Sequence, residues 1–391
     1  MKVLTVHNEY QQAGGEDLVF EEEADLLEAR GHQVMRYRTT NDRVEELGYA
    51  ALTKETLWSS ASYRELRDVM RTERPGVVHL HNTFPLISPS AYYAAASEGV
   101  PVVQTLHNYR LLCPNGLFYR DGAPCEDCLG KVVPWPGVLH ACYRNSRAAT
   151  GLVAAMLSAH RALGTYSSKV DAYVALTEFS RQKMVQGGLP PERLHVKPNF
   201  VYSDPGPGNG EGGYALFVGR LSKDKGIRTL LAAWQRLDKG VPLKIVGDGP
   251  LADLVARAAE TNPRVEWLGR KTMQEVNALM RGALTLVFPS ELYETFGRVA
   301  AESFAAGTPV VAANHGAVAE LVEHGRTGLR FRPRDAADLA SQVERLLGEP
   351  EGRARMRRAA RAEFEEKYTA EENYRRLIGI YESAAGAGVR A

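Results

Sequence analysis

Short apolar runs rich in β-branched residues alternate with amphipathic stretches along most of the chain. In the first half the apolar runs predict strands at Lys2–Val6, Gln33–Tyr37, Gly76–Leu80, Val100–Leu106 and Ala172–Leu176. In the second half they predict strands at Tyr214–Gly219, Leu243–Gly247, Val265–Gly269, Leu284–Phe288 and Thr308–Ala312. Continuous apolar strands separated by amphipathic helices are typical of parallel sheets that are covered on both faces.

The pattern breaks once, at about residues 197–213, where KPNFVYSDPGPGNGEGG is rich in Gly, Pro and Asn and lacks periodicity. This segment predicts a linker between two doubly wound, Rossmann-like α/β domains, at 1–200 and 201–370. Ligands of such folds bind at the carboxyl ends of the strands, so we expect an interdomain cleft. Residues 371–391 are predicted to form a C-terminal helix that packs back on the N-terminal domain, with a disordered end at AAGAGVRA.

Length and charge narrow the class of protein. A chain of 391 residues exceeds what one hydrophobic core supports, which favours two domains. Lys and Arg number 48 and Asp and Glu 47, so the formal net charge of +1 predicts no nucleic-acid partner. The start, MKVLTVHNEY, lacks a signal-peptide pattern, and the most apolar helical window, 148–159, is shorter than the roughly 20 residues of a membrane span. A cytoplasmic location is the expectation.

Two carboxylates lie eight residues apart in the second half, in LTLVFPSELYETFGRVAAESF. Glu294 is predicted in the loop after a strand, and Glu302 in the helix that follows. The helix is expected to begin near Phe296-Gly297-Arg298, where unpaired backbone N–H groups suit a phosphate oxygen. Carboxylates nearby can accept hydrogen bonds from ribose or sugar hydroxyls. The alternative is a pair of surface glutamates in an ordinary strand–loop–helix unit.

The segment GRLSKDKG follows the strand YALFVG and supplies a second candidate. Gly219 allows close approach of a ligand to the backbone, and Arg220 and Lys225 place two cations at the carboxyl end of a strand. A departing diphosphate gains negative charge, which fixed cations stabilise more in the transition state than in the ground state. The alternative is a solvated turn with exposed charges.

The first half offers two weaker signals. Gly14-Gly15 lies between a strand and a helix in HNEYQQAGGEDLVF, and it does not form the G-x-G-x-x-G pattern of dinucleotide binding. His107 ends a strand in VVQTLHNYR, with His79 and His81 of VVHLHN as competing candidates. The alternative for the glycine pair is a plain loop. The alternative for each histidine is a structural role, which is the more common role of a lone histidine.

Taken together, these motifs resemble the family 4 (group 1) retaining glycosyltransferases of the GT-B fold. The resemblance covers essentially the whole chain, and its most specific parts are the E-x7-E segment and the GRLSKDKG loop. The VGDGP stretch at 246–250 and the NHGAVAELV stretch also look like that family.

The resemblance implies roles for individual residues. Arg220 and Lys225 correspond to the pair that binds the donor diphosphate. Glu302 corresponds to the glutamate that holds the ribose hydroxyls, and Glu294 to the one that contacts the donor sugar. The implied donor site also includes Gly219, Phe296, Gly297 and Arg298, with the base against the segment 269–273 that contains Arg270.

On the other side of the implied site, Gly14 and Gly15 correspond to the family's flexible glycine loop, and His107 to its histidine at the donor sugar. Family members often have Asp directly after that histidine, and here it is Asn108. The resemblance implies transfer from a UDP- or GDP-sugar to a glycan or lipid-linked acceptor hydroxyl in polysaccharide biosynthesis. The mechanism is front-face, retains the anomeric configuration and needs no metal. The alternatives are a sugar-nucleotide epimerase and a non-catalytic sugar-nucleotide-binding subunit.

Two further features bear on cofactors and partners. The chain's four cysteines, Cys113, Cys125, Cys128 and Cys142, lie within an insert at 109–143 with the spacing C-x11-C-x2-C-x13-C, which predicts a structural zinc site. Uncoordinated buried thiols and disulfides are the alternatives. The helical stretch 147–164 combines apolar residues with Arg and His, and similar enzymes touch membranes, so peripheral membrane contact is a second prediction. Its alternative is a core helix with a solvated end.

Overall fold

The computed structural model describes residues 1–11, 14–237 and 240–388. The chain forms two compact units. The first contains Met1–Phe118, Glu126–Pro198 and the residues from Asn373 onward, and the second contains Tyr119–Cys125 and Asn199–Glu372. Among the described residues, no helix is both long and apolar enough to cross a bilayer.

The first unit is built on a six-stranded parallel sheet with the order β2-β1-β3-β4-β7-β8. Its strands are β1 (Lys2–Glu9), β2 (Gln33–Thr40), β3 (Val77–Asn82), β4 (Val102–Thr105), β7 (Ala172–Ala175) and β8 (Leu194–Val196). A short antiparallel pair, β5 (Tyr119–Arg120) and β6 (Ala123–Pro124), lies in the segment that clusters with the second unit.

Helices connect these strands, as parallel pairing requires. They are α1 (Gly15–Ala29), α2 (Arg43–Glu46), α3 (Tyr49–Leu57), α4 (Ser60–Glu73), α5 (Ser90–Ser97), α6 (Trp135–Leu139), α7 (Arg147–Ala162), α8 (Thr165–Ser168), α9 (Glu178–Gln186) and a 3-10 turn at Pro191–Arg193.

The second unit repeats the architecture with the strand order β11-β10-β9-β12-β13-β14. Its strands are β9 (Ala215–Val218), β10 (Leu243–Val246), β11 (Val265–Gly269), β12 (Thr285–Phe288), β13 (Val310–Ala313) and β14 (Gly328–Phe331). Its helices are a 3-10 turn at Lys223–Lys225, α10 (Ile227–Arg236), α11 (Ala252–Thr261), α12 (Met273–Gly282), α13 (Arg298–Ala305), α14 (Gly316–Leu321), α15 (Ala336–Gly348) and α16 (Pro350–Lys367). The predicted α/β class with two parallel sheets is confirmed.

Helix α10 illustrates why these stretches form a covered sheet. Its apolar residues recur at helical spacing, so Ile227, Leu230, Leu231 and Trp234 share one buried face. That face joins the core formed with the apolar strands β9 and β10, while Arg228 and Arg236 do not belong to it. The Trp234 indole keeps a partner by donating to the Val241 carbonyl at 3.0 Å.

The end of the chain differs from the prediction. The C-terminal helix α17 (Ala370–Gly388) continues through residues 384–388, which are predicted to be disordered. The cause is packing, since Ala384 is buried with Leu377, Ile380 and Tyr381 against the core of the first unit. The rest of the predicted disordered end, 389–391, lies outside the described residues.

The predicted linker and insert also differ in detail. Backbone N–H groups of Gly208, Gly210 and Gly212 donate to carbonyls of the second unit, so this part of 197–213 is docked. The prediction places the whole insert 109–143 in the first domain. In the structure Tyr119–Cys125 cluster with the second unit, because the Tyr119 hydroxyl contacts Glu291 Oε2 at 3.4 Å and Arg334 donates to the Gly122 carbonyl at 3.3 Å.

Candidate active site

Loops at the carboxyl edge of the second sheet are held together by backbone contacts. The Leu221 N–H donates to the Asp248 carbonyl at 2.9 Å, and the Leu251 N–H donates to the Leu221 carbonyl at 2.8 Å. Gly247 has φ +134°, and a Cβ there would lie 1.9 Å from the Gly219 oxygen. Only glycine permits this approach, so the loop after β9 is fixed against the loop after β10.

The same loop after β9 also docks on the loop after β12. Gly226 has φ +72°, and a Cβ there would lie 2.0 Å from the Pro289 oxygen. The Glu291 N–H donates to the Asp224 carbonyl at 2.7 Å. Because β9 and β12 are neighbours in the sheet, these contacts bring the GRLSKDKG loop and the first glutamate of the E-x7-E segment together.

The contact produces a short ion pair. Lys225 Nζ lies 2.6 Å from Glu294 Oε1, and the Ser290 hydroxyl donates to the same oxygen at 2.6 Å. The lysine and glutamate side chains are 26% and 14% exposed. Burial alone would lower the pKa of Lys225, but the charge of Glu294 and its hydrogen bond raise that pKa above its ordinary value. The charge of exposed Arg220 opposes the rise, so a second cation lies near Lys225.

His315 contacts the loop that carries Glu294. No role was assigned to this histidine from the sequence. Its Nε2 donates to the Ser290 carbonyl at 2.7 Å, and its ring centroid lies 5.7 Å from that of Tyr293. Burial lowers the pKa of His315, which favours the neutral form of the ring. The available signal was its place in NHGAVAELV, directly before α14.

The second glutamate of the E-x7-E segment is buried in α13. Glu302 Oε1 accepts from Arg298 Nε at 2.8 Å, one helical turn away. Gly297 precedes the helix with φ +104°, and a Cβ there would lie 2.8 Å from Phe288 Cε1. Phe296 is buried against Tyr368, with ring centroids 5.8 Å apart. Arg270 lies after β11 at the same sheet edge, mostly exposed and 3.3 Å from Asp248.

The predicted residues of the first half lie in the first unit. His107 follows β4, and its Nε2 is 3.0 Å from Nδ1 of His81, whose ring it stacks on. Burial holds the pKa of His107 well below its usual range. The carboxylate of Asp17 organises the glycine loop, since it accepts from the Gly14 N–H at 2.6 Å and contacts His7 Nε2 at 2.8 Å.

A second carboxyl beside the glycine loop was not predicted. Glu16 Oε2 accepts from the Tyr10 hydroxyl at 3.0 Å and from Asn108 Nδ2 at 3.4 Å. Burial, partly offset by His7 and these hydrogen bonds, raises the pKa of Glu16 to about 7. The amide of Asn108 can donate to Glu16, whereas an Asp at this position would place a second carboxylate against it. This contact gives a physical reason for the departure from the family pattern.

Among the described residues, the four cysteines are not part of a group of side chains close enough to share a metal ion. Cys113 donates to Asn115 Oδ1 at 3.0 Å, and Cys128 to the Pro134 carbonyl at 3.7 Å. Within the described parts of the chain, one set of three or more His, Cys, Asp or Glu side chains is close enough to share an ion, namely Glu23, His79 and His81. The zinc site therefore stays a prediction.

Two family models together match most of the chain. Residues 204–363 match the family model of glycosyl transferases group 1, and residues 13–204 match that of glycosyltransferase family 4.

Individual relatives match shorter segments. A glycogen synthase of Mycobacterium tuberculosis is 40% identical over 152 residues, which are 37% of this chain and 36% of that protein. A D-inositol 3-phosphate glycosyltransferase of Pseudarthrobacter chlorophenolicus is 39% identical over 158 residues, 38% of this chain and 37% of that protein. The matched segments thus span little more than a third of these relatives.

Solved structures match over the full length. HepE of Anabaena, in complex with UDP and glucose, superposes with a TM-score of 0.69 at 19% identity, covering 98% of this chain and all of HepE. A sucrose-phosphate synthase of Thermosynechococcus elongatus gives a TM-score of 0.71 at 16% identity, covering 99% of each chain. At these identities the likeness establishes the fold alone.

Proposed function

Because this chain belongs to the group 1 glycosyltransferase family, we propose that it transfers a sugar from a nucleotide diphosphate donor to an acceptor hydroxyl. The observation that carries the proposal is the ion pair of Lys225 with Glu294 beside Arg220, at the carboxyl edge of a parallel sheet. HepE of Anabaena, which shares this fold, has been solved with UDP and with UDP-glucose, so UDP-sugars are the first donors to test, before GDP-sugars.

Arg220 and Lys225 are proposed to hold the donor diphosphate. As the bond from the sugar to the phosphate oxygen breaks, negative charge grows on the leaving diphosphate. Cations that are already oriented stabilise this charge without reorganising. Lys225 is oriented by Glu294, which is itself held by Ser290. This arrangement supplies the charge that a metal ion would otherwise provide.

The neighbouring carboxylates are proposed to bind hydroxyls. Glu302 is held in one orientation by Arg298 and is assigned to the ribose, and Glu294 is assigned to the donor sugar. Backbone N–H groups at Phe296 and Gly297, before α13, are assigned to phosphate oxygens, and Arg270 to the base. Gly219 allows the nucleotide to approach the backbone.

The residues of the first unit are assigned to the sugar and the acceptor. His107 is proposed to contact the donor sugar, and Gly14 and Gly15 to contact the phosphates and the acceptor. In the proposed front-face reaction the acceptor oxygen bonds to the anomeric carbon on the face that the diphosphate leaves. The acceptor proton passes to the leaving phosphate oxygen, so no side chain acts as the general base and the configuration is retained.

Nucleotide-sugar screening tests the donor. UDP- and GDP-sugars are added singly, and thermal unfolding is recorded. A ligand at 100 times its dissociation constant stabilises by about 2.7 kcal/mol. The stabilising donor is then incubated with glycan and lipid-linked acceptors, and the anomeric configuration of the product is read by proton NMR. An inverted product would refute the retaining mechanism.

Two alternatives give different outcomes in the same assay. An epimerase would convert the donor to its isomer without an acceptor. A non-catalytic binding subunit would be stabilised by the donor but would yield neither product. Transfer that requires an acceptor excludes both.

Peripheral membrane contact is a further part of the proposal, and exposed apolar side chains of the insert support it. Val132, Trp135 and Leu139 are 69%, 56% and 52% exposed. The segment packs along α7, since Ser158 donates to the Val132 carbonyl and Arg147 to the Leu139 carbonyl. Basic and apolar groups side by side suit an anionic lipid surface. The proposed location is cytoplasmic, at the inner face of the membrane.

Vesicle sedimentation tests the contact. We expect the protein to sediment with vesicles that contain phosphatidylglycerol and to lose most of this binding as the Trp135→Ser variant. Tyr49→Ser, which changes an aromatic residue of α3 that is at least as exposed as Trp135, is the control and should bind like the wild type. Equal binding by both variants would contradict the assignment.

A further inference from the structure

A buried cluster of ionisable side chains lies under His107 in the first unit. Glu23 of α1 is 1% exposed, and Lys197 is fully buried. The two form a salt bridge through Glu23 Oε1. The same oxygen accepts from Asn373 Nδ2 at 3.3 Å, and Lys197 also donates to Asn373 Oδ1 at 2.6 Å. One carboxylate oxygen of Glu23 is therefore committed to two donors.

The other oxygen of Glu23 faces a histidine. Glu23 Oε2 and His81 Nε2 lie 3.7 Å apart, and neither has a hydrogen-bond partner among the residues that the structure describes. The adjacent His79 is engaged elsewhere, because Nδ1 contacts the Tyr381 hydroxyl at 2.7 Å and Nε2 contacts the Thr105 hydroxyl at 2.8 Å. In a buried site a carboxylate oxygen favours an N–H over a lone pair at this distance, which puts the His81 proton on Nε2.

The position of the proton on His81 determines the position of the proton on His107. A neutral imidazole carries one proton, so His81 with its proton on Nε2 offers a lone pair at Nδ1. His107 Nε2 lies 3.0 Å from that atom and must then be the donor. His107 consequently carries its proton on Nε2 and a lone pair on Nδ1.

We infer that Glu23 acts as a positioning residue that sets the tautomer of His107 through His81. Resting on the proposed function, the consequence is that His107 Nδ1 is an acceptor for a hydroxyl of the donor sugar. Glu23 itself touches neither the substrate nor the reacting atoms.

The cluster is better explained by this relay than by a metal ion, although Glu23, His79 and His81 are close enough to share one. The ammonium group of Lys197 already binds Glu23 and would repel a second cation in a buried site. Both nitrogens of His79 are also occupied by hydroxyl groups.

Nitrogen-15 NMR of the histidine rings in the full-length protein, without ligand and at neutral pH, tests the inference. Correlations from the ring carbon-bound protons distinguish protonated from bare ring nitrogens. We expect Nε2 to be protonated and Nδ1 to be bare in both His81 and His107. A proton on Nδ1 of either ring in the wild type would overturn the inference without any variant.

The Glu23→Gln variant should invert both tautomers. Lys197 and Asn373 both donate to the side chain at position 23, so the amide oxygen of Gln faces them. The amide N–H groups of Gln then face His81 Nε2, which becomes a hydrogen-bond acceptor. His81 then donates from Nδ1 to His107 Nε2, and the proton of His107 moves to Nδ1. Glu28→Gln changes an exposed carboxylate of the same helix that pairs with Arg36, and should leave both rings unchanged. Unchanged tautomers in a folded Glu23→Gln protein would also overturn the inference.

The NMR spectra of the histidine rings do not depend on turnover. The inference about the tautomers and the proposed transferase function can therefore be refuted independently. The expected tautomers in a protein without transferase activity would refute the proposed function alone. In an active enzyme we expect Glu23→Gln to lower kcat by about tenfold, or about 1.4 kcal/mol in the barrier. An inverted tautomer with unchanged kcat would show that the tautomer of His107 has no part in transfer.

Discussion

Replacement of Lys225 by Met removes one cation from the proposed phosphate site while keeping most of the side-chain volume. In the wild type the ammonium group is held 2.6 Å from Glu294 Oε1 and is largely shielded from water. A unit charge about 4 Å from a phosphate oxygen contributes about 4 kcal/mol at an effective dielectric constant of about 20. Loss of one oriented group that stabilises transition-state charge typically costs about 2.7–4 kcal/mol. We therefore expect kcat to fall by about 10²–10³.

The variant also removes the lysine that pairs with Glu294. The carboxylate keeps the Ser290 hydroxyl but loses the positive charge of Lys225, so it repels the donor phosphates more strongly than in the wild type. The apparent KM for the nucleotide sugar should therefore rise as kcat falls. Initial rates of nucleotide release at varied donor concentration separate the two effects.

Lys223→Met is the matched control, because Lys223 is an exposed lysine of the same 3-10 turn. Its kcat should stay within about twofold of the wild type, and thermal unfolding of both variants should show an intact fold. The reasoning is refuted if folded Lys225→Met protein keeps more than about a tenth of wild-type turnover.

Other changes test separate parts of the structure. Arg220→Ala and Glu294→Ala should each lower turnover by about 10²–10³ with the fold intact, and unchanged turnover in both and in Lys225→Met would remove the site assignment. Gly226→Ala should destabilise the second unit by more than the about 1–3 kcal/mol of backbone strain, since its Cβ also meets a carbonyl oxygen. Gly325→Ala, with φ +86° and open space, should cost only the strain in urea unfolding. The raised pKa of Glu16, about 7, makes the folded state hold this proton more tightly than the unfolded state, so the contribution of Glu16 to stability is lost as pH rises from about 4.5 to about 7. Glu16→Gln should remove about 1–3 kcal/mol of that loss, and parallel curves for the two proteins would contradict it. Metal analysis of the purified chain should find about one zinc if the four cysteines form the predicted site, and its absence would rule the site out.

The sequence predicted ten of the twelve strands in the two parallel sheets, but it missed one edge strand of each sheet and the short antiparallel pair β5 and β6. All ten predicted strands are present, because continuous apolar runs such as Ala215–Val218 leave few alternatives. Strand β8 has only three residues, and β14 contains a glycine and an arginine, so neither shows the period or composition of a buried strand. Both lie at the edge of their sheet.

The sequence named Lys225 and Glu294 as candidates, whereas the contact between them was not predicted. Lys225 and Glu294 are far apart in sequence and meet because β9 pairs with β12, and this strand order has no local signal. Glu23 was missed for a related reason. It lies in the run Glu21–Glu23, which resembles a solvated helix face. Its buried partners are Lys197 and Asn373, which are far from it in the sequence.

The assignment of α17 to the first unit has a consequence for synthesis of the chain. Asn373 and Tyr381, which complete the buried cluster, are translated only after every residue of the second unit. On the ribosome the second unit can close while the first still lacks its last helix. A fragment that stops at Pro198 would expose the apolar face that Leu377 and Ile380 cover and would leave Lys197 with a single partner. Independent expression of the two halves therefore requires grafting the final helix onto the first.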